Sequence, residues 1–154
     1  MEQENNVQRQ PLKGEMEVVF DLKRIIDTGL NAAYSSVSTT AVHPYWCVGK
    51  RIVQEEQGGQ SRAGYGRRLL STIAQELARE YGDNYSERNL RSYRQFYLNF
   101  TDFEIWNACV PNLTWTHYRS LIRVENVDAR YWYLKEASVE NWSCRTLDRN
   151  IGSQ

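Results

Sequence analysis

The chain has 154 residues, with 19 basic and 19 acidic side chains and no net formal charge. That balance excludes a protein that holds nucleic acid by its overall charge, because phosphate neutralisation needs basic side chains clustered on one surface. With 41% hydrophobic residues, ten Tyr, five Trp and four Phe, the length suffices for one core, or for two small helical lobes sharing one.

Residues 1–14 are polar, contain Pro11 and Gly14, and are expected to form a disordered tail. One helical, DNA-binding-like domain is expected over 15–151, in sub-lobes of about 15–100 and 101–151. From Glu15, the spacing of Val18, Val19, Leu22, Ile25, Ile26, Leu30 and Ala33 describes a long amphipathic helix reaching toward Thr40. His43-Pro44 marks the next boundary, since proline fits the first turn of a helix and disfavours helical geometry in the residue before it. Tyr45, Trp46, Val48, Ile52 and Val53 form the inner side of that second helix, and Gln57-Gly58-Gly59-Gln60-Ser61 reads as a flexible loop.

Leu69, Leu70, Ile73, Leu77 and Tyr81 share one side of a helix beginning near Arg67. Gly82 supplies a left-handed stop, Asp83-Asn84 continues the turn, and Ser86 caps a new helix. Leu90, Tyr93, Tyr97 and Phe100 face inward there, so Arg88, Arg91 and Gln95 fall on the exposed face and Arg94 borders both. Two helices joined in this way over about 67–100 predict a helix-turn-helix whose second helix would read DNA. Arg67, Arg68 and Lys50 lie nearby as candidate phosphate contacts, and Tyr65 or Tyr85 could stack on unpaired bases. Between Lys50 and Arg94 there are nine basic and six acidic side chains.

A short segment holding Ile105 and Trp106 follows, closed by Pro111-Asn112. Thr114 or Thr116 caps the next helix, with Tyr118, Leu121 and Ile122 inward. A further helix spans about Val127 to Val139, and Ser143 caps a last one with Leu147 and Ile151 inward. These two form a second helix-turn-helix candidate at about 127–151, with Arg145 and Arg149 on its outer face. The fold class expected is therefore all-α, a compact multi-helix domain.

Enzyme signatures are absent from the pattern. His43 and His117 stand in no Ser-His-Asp, His-Glu-x-x-His or Cys-His context and read as packing or capping groups. The glycines at 58, 59, 64 and 66 match no nucleotide loop, and Glu55 and Glu56, being adjacent, point to different helix faces. Cys47, Cys109 and Cys144 are odd in number and widely spaced, and read as reduced thiols of a cytoplasmic protein. No catalytic residue, metal site or cofactor is expected, and no membrane partner.

Six ordered segments carry a resemblance. Tyr45-Trp46-Cys47-Val48-Gly49-Lys50-Arg51-Ile52, Gly64-Tyr65-Gly66-Arg67-Arg68-Leu69-Leu70, Tyr85-Ser86-Glu87-Arg88-Asn89-Leu90-Arg91, Arg94-Gln95-Phe96-Tyr97, Leu113-Thr114-Trp115-Thr116-His117 and Trp142-Ser143-Cys144-Arg145-Thr146-Leu147 are similar to the blocks of the YhcG-like N-terminal domain. In that family a helical domain precedes a PD-(D/E)XK-type nuclease domain. The resemblance implies a non-catalytic module that positions DNA, duplex or branched, for a nuclease domain lying beyond this sequence. The competing reading is a protein-interaction or dimerisation module, in which the first helix and the aromatic excess form an interface and the chain is a homo-oligomer.

Overall fold

The computed structural model describes the backbone of residues 13–35, 42–59, 63–109 and 113–153; side chains 13, 30–35, 59, 63–66, 106, 108 and 109 also fall outside the described set. The apolar repeats become helices α1 (Lys13–Ser35), α2 (Val42–Gly59), α3 (Ala63–Tyr81), α4 (Glu87–Asn99), α5 (Phe103–Cys109), α6 (Trp115–Leu121), α7 (Val127–Val139) and α8 (Cys144–Gly152). A 3-10 turn, Gly82–Tyr85, joins α3 to α4. No strand occurs among the described residues, and the all-α expectation is met.

Helix starts follow local chemistry, with three shifts from the sequence reading. Lys13 and Gly14, expected in the tail, form the first turn of α1, where the following Glu15 is buried and accepts from Arg68 Nε at 3.2 Å and Thr72 Oγ1 at 3.3 Å. Gln57, Gly58 and Gly59, expected in a loop, end α2. Gly64-Tyr65-Gly66 lies inside α3, four residues before the expected start; the propensity cost of glycine, about 1 kcal/mol each, is overridden by the continuing helix. Residues 1–12, the Ser- and Thr-rich stretch at 36–41, the loop at 60–62 and Pro111-Asn112 lie outside the described residues, as do the side chains of Leu30, Ala33, Tyr65, Trp106 and Cys109.

Two clusters of buried side chains hold the helices together. In the first, Val18, Val19, Leu22 and Ile26 of α1 meet Val48 and Ile52 of α2, Leu69, Ile73 and Leu77 of α3, and Tyr85, Leu90 and Tyr93. In the second, Phe96 and Phe100 meet Val42, Trp46, Leu113, Tyr118, Leu121, Tyr133, Leu134, Ala137 and Leu147. Helix α4 serves both, its first half in one cluster and its second half in the other. Phe96, absent from the expected stripe, is fully buried, whereas Tyr97 is half-buried with its ring edge on Trp46 at 5.2 Å. A helix enclosed on two sides cannot tilt freely, so its outer face is rigidly presented.

The junction between α4 and α7 is held by a buried cation. Arg130 donates from Nε to the Val124 carbonyl at 2.9 Å, from Nη1 to the Asn99 carbonyl at 3.2 Å and from Nη2 to the Glu125 carbonyl at 3.3 Å. Burial pulls its pKa below the ordinary arginine value, while the carbonyls supply the partial negative charge a buried guanidinium requires.

Candidate nucleic-acid interface

The turn before α4 is built as its residues dictate. Gly82 adopts φ +69°, the left-handed geometry that ends α3. Ser86 Oγ accepts from the Asn89 amide at 3.3 Å, and Glu87 stands in the first turn of α4. The turn is pinned from α4 itself: Tyr93 donates its hydroxyl hydrogen to the Asn84 carbonyl at 2.8 Å, and Asn89 Nδ2 reaches the Asp83 carbonyl at 3.3 Å.

Arg88, Arg91, Gln95 and Leu98 form the exposed stripe of α4, the first three as the spacing predicts. Arg88 makes no ion pair among the described residues, and Arg91 makes only a long one, 3.9 Å to Glu87, with its side chain 60% exposed. Gln95 Nε2 donates to Asn99 Oδ1 at 2.8 Å. The remaining candidates lie elsewhere. Arg94 is clamped by Glu56 of α2, with Nε donating at 3.0 and 2.8 Å to the two carboxylate oxygens. Lys50 lies over the Trp46 ring at 5.5 Å. Arg67 is exposed near the start of α3, and its neighbour Arg68 is bonded to Glu15 of α1. Among the described residues, no ion pair joins the α3 pair to the α4 stripe.

A second helix borders the stripe that sequence reasoning did not single out. The Trp115 ring lies 5.1 Å from Tyr93 and 5.3 Å from Phe96, Tyr118 lies 4.9 Å from Phe96, and Asn99 Nδ2 donates to the Ile122 carbonyl at 2.9 Å. This packing sets α6 alongside α4 with Arg119 and Arg123 exposed, and the charge of Arg119 acts on the Tyr93 phenol. The inward spacing of Tyr118, Leu121 and Ile122 is the signal that could have found Arg119; what the sequence lacked was the neighbour. On α8, Arg145 and Arg149 are exposed as expected.

Two readings are corrected. Tyr85 is buried, 6% exposed, with its ring against Tyr45, Tyr81 and Tyr93, so it offers no face for a base. His117 does cap α6, accepting the Thr114 amide hydrogen at Nδ1 over 3.1 Å, but it also stands in a Cys-His context, because the fold brings Cys144 Sγ to 3.4 Å from that nitrogen. Glu55 and Glu56 diverge as expected, Glu55 to Arg51 at 3.2 Å and Glu56 to Arg94 at 2.8 Å. Among the described residues, no group of three or more His, Cys, Asp or Glu is placed to hold a metal ion. No helix there is long and apolar enough to cross a membrane.

Comparison with known proteins bears on this surface. A protein of Escherichia coli (strain K12) named "Putative nuclease YhcG" is 30% identical over 170 residues, an alignment covering 92% of this chain and 45% of that protein. The chain thus spans less than half the length of this curated relative. No solved structure matches it. The model of the DUF1016 N-terminal domain matches residues 21–154, from within α1 through α8 and so across both cores, and the chain belongs to that family.

Proposed function

We propose that this domain binds DNA through the outer face of α4 and positions it for a nuclease domain elsewhere in the full-length protein, without taking part in cleavage. The observation that carries the reading is the stripe Arg88, Arg91 and Gln95 on a helix enclosed by two cores, bordered by Arg119 and Arg123. Guanidinium groups of this kind contact phosphates and guanine edges, and a glutamine amide pairs with adenine. Lys50 on α2 and Arg67 on α3 are further candidate phosphate contacts away from the stripe, whereas Arg68 and Arg94 act as braces between helices. The relative's name supports a nucleic-acid partner.

Fluorescence-anisotropy titrations with duplex, single-stranded and branched DNA, repeated across salt concentrations, test the reading. Salt-sensitive binding that is lost in Arg88→Ala/Arg91→Ala is expected. Unchanged affinity in that folded variant overturns it.

A homo-oligomerisation module is the second reading, and the outer side of α1 favours it. Met16 and Phe20, one turn apart, are 40% and 63% exposed, although Val18, Val19, Leu22 and Ile26 of the same helix are buried. Light scattering separates the two, since a tight oligomer that binds none of the DNA probes supports only the second.

A further inference from the structure

Cys144 opens α8, with its Sγ 3.4 Å from Nδ1 of the buried His117 and 3.8 Å from Oγ1 of Thr114. The tautomer of His117 follows from its other nitrogen. The Trp142 carbonyl 2.7 Å away can only accept, so Nε2 carries the proton and Nδ1 a lone pair. The Thr114 amide shares that lone pair with the thiol, and Thr114 Oγ1 lies 2.9 Å from the same nitrogen. A thiol, a base facing it and a carbonyl that orients the base form the arrangement that activates a nucleophile. Cys47, half-buried like Cys144, differs in that burial pushes its thiol up, which favours the unreactive protonated form.

We propose that Cys144 is a modification site whose thiol exchanges with low-molecular-mass disulfides, with His117 as its base. The thiol proton passes to His117 Nδ1, and Sγ attacks one sulfur of the disulfide. The reagent's S–S bond breaks as the Cys144–sulfur bond forms, and the departing thiolate takes the proton back from His117. The reagent supplies the oxidising equivalent and leaves as one thiol. While charged, the imidazolium is held by the Trp142 carbonyl at Nε2 and by Thr114 Oγ1 at Nδ1. The adduct stands at the seam between the N-terminus of α6 and that of α8, so its bulk loosens α8 from the second core.

The test uses the intact chain with two probes, glutathione disulfide and the aromatic disulfide DTNB, and peptide masses to locate the adduct. The first adduct is expected on Cys144, forming at pH 7 at least about threefold faster in the native chain than on the same cysteine in urea. The acceleration disappears in His117→Asn, and the adduct lowers the Tm until dithiothreitol removes it. If His117→Asn does not fold, the native-against-urea comparison decides alone. A native rate equal to or below the rate in urea, or a first adduct on Cys47 or Cys109, overturns the proposal.

Discussion

Gly49 of α2 lies directly against the main chain of Tyr93 on α4, so closely that a methyl group at Gly49 would overlap the Tyr93 carbonyl. The two helices therefore cross backbone to backbone, and the crossing point is also where Tyr45 of α2 stacks on the Tyr93 ring at 4.2 Å. Gly49→Ala must push α2 away from α4 or unwind one of them. Overpacking of this kind costs about 2–3 kcal/mol, which would be read as a lower urea midpoint at unchanged slope. Because α4 carries the proposed DNA stripe, the same variant should weaken DNA binding although every side chain of that stripe is still present.

The arginines of α4 should separate by partner. Removing Arg88 and Arg91 together should lower the slope of log affinity against log salt by about 0.9 for each phosphate that they neutralise. Arg94→Gln removes a cation that Glu56 already neutralises at 2.8 Å, so the salt slope should be unchanged. Its effect should appear instead in stability, at about 0.5–1 kcal/mol for a partly exposed pair. A salt slope that falls equally in both variants would mean that Arg94 leaves Glu56 to reach DNA.

What the sequence made legible was local. The caps at Ser86, Thr114 and Ser143, the stop at Gly82 and the outward face of Arg88, Arg91 and Gln95 each depend on residues within one or two turns. The partners of those residues were not legible, because they come from far along the chain. Glu56 and Arg94 are separated by 38 positions, Glu15 and Arg68 by 53, and His117 and Cys144 by 27. No periodicity encodes such pairs. Tyr85 shows the same limit: a tyrosine beside a polar turn reads as exposed, yet the α2 crossing brings Tyr45 and Tyr93 over it.

His117 should be among the costlier polar side chains to remove. Its substitution by Ala leaves the Trp142 carbonyl without the hydrogen donated over 2.7 Å and the Thr114 amide without its acceptor, in a site where the ring is 6% exposed. Two part-buried groups left unpaired cost about 1–3 kcal/mol together. The destabilisation should be local at first, with amide exchange accelerating in α6 and α8 before α1 to α3. Uniform acceleration over the whole chain would show instead that the two cores unfold as one.

The tyrosine cluster should set the alkaline limit of the fold. Burial is the main cause that pushes Tyr85 and Tyr93 well above the ordinary phenol range, with the neighbouring Tyr45 adding to the shift. In the unfolded chain both ionise near pH 10, an approximate reference value. The folded state thus keeps protons that the unfolded state has already released above that pH. Linkage then makes the stabilisation fully present below about pH 10 and progressively lost as the pH rises through the folded-state values, at about 1.4 kcal/mol per pH unit for each phenol. The Tm should be insensitive to these groups from pH 7 to 9 and fall steeply beyond about pH 10. Tyr85→Phe should flatten that fall, because phenylalanine keeps the ring packing against Tyr45 and Tyr81 and removes the ionisable oxygen. An alkaline profile identical to that of the unsubstituted chain would show that the Tyr85 ionisation does not control the fall.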